Sequence, residues 1–440
     1  MKIQNLMSCR SIACRTGIFY FILFLLIQVA NAQPIRMEST PTYSSFIMDA
    51  RVEREDYNFR FGPVLIDVIG TFGLEYDDNI NTSENNPVED FILQPGINFG
   101  LKWQINENNE LDLNIGAEYN YYLSEDDLNE AKNQFGISPN TELSFRVLLG
   151  DIVLRVYDQI QYSFDSTDSV VIDTNTGAVT EADPDTFTRL SNVIGVQSEW
   201  FIGENAFSGQ ISREDVYSPD DEFSYVNKFV HKILLNWERA LAANFTIGAG
   251  ASYETFDFDD PVNNDGDVFS IGPFFDWKIT EVIGLYAGGS VNDRSFDEGG
   301  LTDSAASSFG DTSDVTDFTW NIILSHVAND VFNHQIELYN AVNVSDTANF
   351  DEVDGVRYTI AYNITPRIRL DGAVGYEENE SSGGLINDDF NRWLGGVSTE
   401  LVLGPRLTAD VGYEYQDKDS DAALQSYDRN RVRILVSYDF

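Results

Sequence analysis

The chain has 440 residues and a formal net charge of −45, from 72 Asp plus Glu against 27 Lys plus Arg, with aromatics at 13%. Phosphate binding needs a basic face, so nucleic acid is excluded as a partner; acidic disordered chains are poor in aromatics, so full disorder is excluded too. Only one apolar run approaches membrane-spanning length, and it is N-terminal, which excludes a helical bundle.

That run is the first element. Lys2, Arg10 and Arg15 form a positive n-region, Ile18 to Ala30 an apolar core, and Ala30-Asn31-Ala32 an A-x-A cleavage site. This is a signal-peptide pattern, so residues 1–32 are expected to be removed on export. Cys9 and Cys14 lie inside it, leaving 33–440 without a disulfide or a thiolate metal site. Residues 33–63 alternate poorly, with Pro34, Pro41 and a mixed-charge stretch from Asp49 to Asp56, and read as a periplasmic lead segment.

From residue 64 to residue 440 one unit repeats. Leu111, Leu113, Ile115, Ala117, Tyr119 and Tyr121 share one parity, while Asp112, Asn114, Gly116, Glu118 and Asn120 share the other. Strands point successive side chains to opposite faces, so each such segment has one apolar and one polar face. Eighteen segments follow this rule: 64–77, 90–105, 109–122, 140–149, 151–163, 187–201, 204–217, 224–239, 243–256, 267–279, 282–294, 315–328, 331–344, 354–364, 366–378, 388–403, 405–418 and 427–440. The links alternate in length. Short ones fall at 106–108, Gly150, Gly203, 240–242, Thr280, Asn329, Thr365-Pro366 and Gly404-Pro405; long ones include 78–89, 123–139, 164–186, 257–266, 295–314 and 379–387. An even strand count with alternating turn lengths predicts an all-β, transmembrane, antiparallel up-and-down barrel in a Gram-negative-type outer membrane, with short periplasmic turns and long external loops. Its lipids are then one partner and a hydrophilic solute another.

The aromatics test this topology. Tyr76, Tyr119, Tyr253, Tyr376 and Tyr413 close odd strands on the apolar parity, and Trp103, Trp200, Trp237 and Trp277 close even ones. Two interfacial girdles are expected from that sorting. Val432, Ile434, Val436, Tyr438 and Phe440 alternate down to an aromatic C-terminus. This end resembles the terminal strand of bacterial outer-membrane proteins, which implies that Tyr438 and Phe440 are read by the barrel-assembly machinery.

Charge is unevenly placed. The 164–186 link carries Asp165, Asp168, Asp173, Glu181, Asp183 and Asp185 and no base; 257–267 carries Asp257, Asp259, Asp260, Asp265 and Asp267. The plain reading is a solvated acidic rim. Ca²⁺ at these loops is the other reading, though no complete EF-hand spacing is present; no other cofactor is expected. Arg357, Arg367, Arg369, Arg392, Arg406, Arg429, Arg431 and Arg433 all fall in the last five strands on the polar parity. One reading makes Arg357, Arg369, Arg392, Arg406, Arg431 and Arg433 a pore-lining basic wall facing Asp112, Glu118 and Glu254. The other is structural pairing with neighbours such as Asp371, Asp410 and Glu414.

Signs of an enzyme are few. His231, His326 and His334 share parity with apolar neighbours and so point outward, away from any polar pocket. No G-x-S-x-G, H-E-x-x-H or Gly-rich phosphate loop occurs. A non-enzymatic chain is expected, with an adhesive or structural surface barrel as the alternative to a conduit and a carboxylate hydrolase as the third reading.

One stretch carries a family resemblance. Gly73-Leu74-Glu75-Tyr76-Asp77-Asp78-Asn79-Ile80, followed by Asp90 to Gly100, resembles the opening hairpin of outer-membrane proteins of the beta-barrel porin 2 type. Some of these are encoded with exopolysaccharide synthesis and export systems. The resemblance implies a barrel with a solute-diffusion or polysaccharide-export role. It carries over no catalytic or binding residue.

Overall fold

The computed structural model describes residues 57–124, 134–165, 170–173, 178–181, 187–219, 221–259, 263–297, 314–345, 348–382, 388–422 and 424–440. The expected signal segment and nearly all of the lead segment lie outside these. Eighteen long strands follow one another. They are β1 Val64–Asp77, β2 Asp90–Asn106, β3 Asn109–Tyr119, β4 Glu142–Leu149, β5 Ile152–Asp165 and β6 Phe187–Ile202. Next come β7 Asn205–Tyr217, β8 Lys228–Ala242, β9 Phe245–Phe258, β10 Gly266–Lys278, β11 Ile283–Phe296 and β12 Val315–Asn329. The last six are β13 Phe332–Val344, β14 Phe350–Thr365, β15 Ile368–Ser381, β16 Phe390–Val402, β17 Leu407–Ser420 and β18 Tyr427–Asp439.

Each strand pairs antiparallel with the next, and β1 pairs with β18 from Ile69↔Asp439 to Asp77↔Arg431, so the sheet closes on itself. Closure leaves no free edge. The seam is clamped at the long-loop end. Arg429 Nε donates to Asp77 at 2.9 Å, Asn430 Nδ2 to Asp78 at 2.8 Å, and Asn79 Nδ2 to the Asp428 carbonyl at 2.9 Å. Thus Asp77-Asp78-Asn79 of the opening hairpin binds the start of the last strand. At the other end the Phe440 amide donates to the Val68 carbonyl, and the Phe440 ring lies where a side chain on Gly70 would stand.

The short turns are tight for a local reason. Gly150 and Gly203 have φ of 65° and 62°, the left-handed region that a two-residue hairpin demands and glycine enters freely. Both the start of β1 and the end of β18 lie at this short-turn end.

Period-2 alternation sorts the two faces as expected. Phe72, Ile97, Ile211, Leu235, Ile271 and Phe318 are exposed on the outer face, while Glu75, Asp77, Ser270, Asn292 and Arg294 are buried on the inner one. The Tyr girdle occupies the outer face at the long-loop end. Tyr76, Tyr376 and Tyr413 donate their hydroxyls to Glu89, Asn391 and Asn430 at 2.6–2.7 Å, an apolar ring below and a polar tip above. Trp103, Trp200 and Trp277 are exposed at the short-turn end. Trp393 departs from the sorting: it opens β16 and packs on Tyr376 at 4.9 Å in the Tyr girdle.

A strand of about 14 residues tilted about 40° rises roughly 35 Å, beyond an apolar band of about 25 Å. That excess explains the exposed outer-face acids Glu352, Asp354, Glu378 and Glu380 at the long-loop ends of β14 and β15.

Several expectations need correction. The eighth strand was expected from 224, but Asp221–Val226 is a 3₁₀ turn whose Phe223, Tyr225 and Val226 form a small buried cluster, and β8 starts at Lys228. The fourth is broken: Phe135–Ile137 pairs with β3 ahead of β4. The 164–186 link contains a hairpin, Val170–Asp173 with Ala178–Glu181. Phe59–Phe61, within the expected lead segment, folds back on Val64–Ile66. No helix among the described residues is long and apolar enough to cross a membrane.

Candidate functional site

The inner face of the barrel is the candidate site, and two of its walls differ. Across β13–β18 it carries long charged side chains joined in pairs. Arg392 Nη2 lies 2.7 Å from Glu377, both nearly buried, and Tyr339 donates its hydroxyl to the same carboxylate. Arg369 holds Asp371, two residues on in β15, at 2.8 Å. Arg431 pairs with Glu414 directly opposite. Lys418 meets Asp388 at 2.7 Å and lies over the Phe390 ring at 4.4 Å. Arg357 is looser, 3.9 Å from Glu337 and above the Tyr339 ring. Arg433 stands opposite Glu75 across the seam.

These positions bear on each residue of the expected basic wall. Arg357, Arg369, Arg392, Arg431 and Arg433 are on the inner parity of their strands. Arg406 and Arg367 are not on the wall; they sit exposed in the short turns before β17 and β15. The wall is also not basic. Glu337, Asp371, Glu377, Glu400, Asp410 and Glu414 share the inner parity with the arginines, so its charge is mixed. Asp371 and Glu414, named in the pairing reading, do hold Arg369 and Arg431. Of the acids expected on the far side, Asp112 is 3.9 Å from Lys102 and Glu254 3.4 Å from Lys232, while Glu118 is exposed on β3.

Across β9–β12 the inner face is built differently. Cross-strand register places Ser252, Ser270, Asn292 and Asp317 in one row, and Gly248, Phe274, Gly288 and Asn321 in another. Phe274 lies over Gly248, where a Cβ would come within 2.2 Å of the ring. Charge is sparser here: Glu254, Asp276 and Lys278 share this parity, and among the described residues one ion pair joins two strands within the wall. Arg294, 1% exposed, donates from Nε to Asp317 at 2.7 Å, and Asn292 donates to the same carboxylate. Among the described residues this is the most deeply placed of the inner pairs, and it lies outside the last five strands, where the expected wall stands. Arg155–Glu142 lies outside them too, as does Arg146, 3.1 Å from Glu110. Their signal is a base on the polar parity with an acid on the adjacent strand.

Tyr122 is buried with Ile80 and Ile92, while Tyr286 packs on Phe274 at 6.2 Å. Among the described residues no group of three or more His, Cys, Asp and Glu could hold a metal. Asp265, in the β9–β10 link, accepts the Phe258 amide at 2.7 Å, and its burial pushes its carboxyl up from the ordinary range. Of the 164–186 acids, Asp168, Asp183 and Asp185 lie outside the described residues. The histidines are on the outer face: His231 is exposed on β8, and His326 and His334 are paired across β12 and β13.

At the C-terminus the Tyr438 and Phe440 rings meet edge-on at 5.3 Å on the outer face. They stand beside the seam that closes the barrel.

No protein-family model matches the chain, and no curated protein does. Solved structures do. A BenF-like porin from Pseudomonas fluorescens Pf-5 is similar at a TM-score of 0.50 and 11% identity, over 86% of this chain and 100% of that one. OccK2 (OpdF) of Pseudomonas aeruginosa, solved with glucuronate, has a TM-score of 0.49 and 8% identity over 86% and 98%. OccK5 (OpdH) of the same species has 0.47 and 12% over 86% and 98%. At these identities the likeness is one of fold. That fold is the closed antiparallel β-barrel of outer-membrane porins, as the opening hairpin's resemblance implies.

Proposed function

We propose that this chain is an outer-membrane channel for hydrophilic solutes, exported by its N-terminal signal and not an enzyme. The observation that carries this reading is the inversion of its barrel. Apolar side chains cover the outside, while charged and hydroxyl side chains cover the inside. An apolar outer face between aromatic girdles is stable only under a lipid cover, and barrels of about 16–18 strands leave an aqueous interior. The charge of β13–β18 is locally neutralised, which suits passage of polar solutes more than capture of one anion. Planar-bilayer recording of the refolded protein tests the proposal. Discrete open-channel steps are expected; a barrel that inserts and never conducts would overturn it.

The finer proposal is that the solute is an exopolysaccharide leaving the cell. It draws on the opening hairpin, whose Asp77-Asp78-Asn79 forms the seam clamp. Deleting the gene and assaying extracellular polysaccharide tests it, and unchanged secretion overturns it without touching the channel reading.

A further inference from the structure

The outer face carries one polar feature that a channel does not require. His326 on β12 and His334 on β13 are direct cross-strand partners, and His326 Nδ1 lies 2.9 Å from His334 Nε2. The rings are nearly perpendicular, at 79°. Phe332 stacks on His334, and Tyr358 of β14 brings its hydroxyl to 3.3 Å from His334 Nδ1. The pair stands beside the exposed β12–β13 turn, so water reaches it from the short-turn side.

We propose that His326 and His334 form a bidentate site for a divalent transition-metal ion of the imidazole-preferring class, with Cu²⁺ bound most tightly. With metal–nitrogen bonds of about 2.0–2.1 Å, cis ligands of a square plane sit roughly 2.9 Å apart and tetrahedral ligands roughly 3.3 Å. The observed separation matches the first and is close to the second. The χ2 wells of histidine are broad, so ring rotations that swing each lone pair by about 45° turn both from the line between the nitrogens to one point beside it.

Tyr358 can accept from the tautomer that this requires. With the proton on His334 Nδ1, that N–H donates to the Tyr358 oxygen and Nε2 is left as a ligand. Ligating imidazoles are commonly fixed this way by a partner on the other nitrogen. Both imidazoles coordinate as neutral groups, and solvent fills the remaining positions. The site stands apart from the inner face and does not depend on conduction.

The chain suits a clean test, because it has only three histidines and 33–440 contains no cysteine. The refolded barrel in detergent is titrated with Cu²⁺ by calorimetry, and the bound ion is examined by electron paramagnetic resonance. One equivalent with two equatorial nitrogens is expected. Losing an orienting partner typically costs on the order of 10–100-fold in affinity, so Tyr358→Phe should weaken binding by about tenfold, and His326→Ala or His334→Ala by more than about 100-fold. His231→Ala should leave the affinity unchanged. Circular dichroism of each variant confirms that the barrel is folded. Wild-type affinity no greater than that of the His326→Ala/His334→Ala double variant, or binding that is lost with His231, would overturn the proposal.

Discussion

Across β13–β18 the interior is held by long charged side chains joined two by two, several of them half-exposed. Across β9–β12 it is held mostly by glycine, serine, asparagine and a few rings, with fewer charges and the Arg294–Asp317 pair set deep among them. The contrast shows that burial, more than the number of charges, decides what a pair is worth. The Arg357 side chain is 25% exposed and 3.9 Å from Glu337, so water competes for both partners. The Arg294 side chain is fully buried at 2.7 Å from Asp317, so losing it strands a carboxylate in a dry place. Exposed pairs contribute about 0–1 kcal/mol, whereas breaking a buried pair costs about 3–5 kcal/mol.

The largest effect should therefore come from Arg294→Met. A loss of about 3–5 kcal/mol is expected in urea unfolding of the refolded barrel, most of it restored by adding Asp317→Asn. A loss under about 1 kcal/mol would erase the distinction between the walls. Arg431→Glu should follow, at about 2 kcal/mol or more, because it sets like charges opposite Glu414 and beside the seam. The same variant should move the reversal potential toward cation selectivity; an unmoved potential would make Arg431 purely structural.

Arg357→Met should cost about 1 kcal/mol or less by the same unfolding assay. A cost equal to that of Arg294→Met would show that the wall acts as one network. Smallest is Tyr413→Phe, which removes one exposed hydroxyl bond to Asn430 and should cost about 0.5 kcal/mol. A larger loss would place the seam clamp, and not either wall, at the centre of stability.

Much of this fold was legible in the sequence because parity is local. The alternation at 111–121 needs no knowledge of the rest of the chain, and it placed β3 with its polar and apolar faces correctly. The same alternation found all eighteen strands, with the eighth begun four residues early, and the alternating turn lengths gave their up-and-down order. What stayed hidden depends on register. Arg429 and Asp77 are 352 residues apart and meet only when the barrel closes. Which base on an inner face meets which acid follows from that stagger, so the arginines could be assigned to a face but not to partners. The 3₁₀ turn at Asp221–Val226 was hidden for another reason. Phe223, Tyr225 and Val226 read as strand by composition, and it is their mutual burial that curls them away from the sheet.

The central claim is that the inner face surrounds a water-filled path. Single-channel recording of the refolded protein in a planar bilayer tests it most directly. Stable steps are expected, with weak ion selectivity that matches the mixed charge of β13–β18. Insertion without conductance would contradict the account.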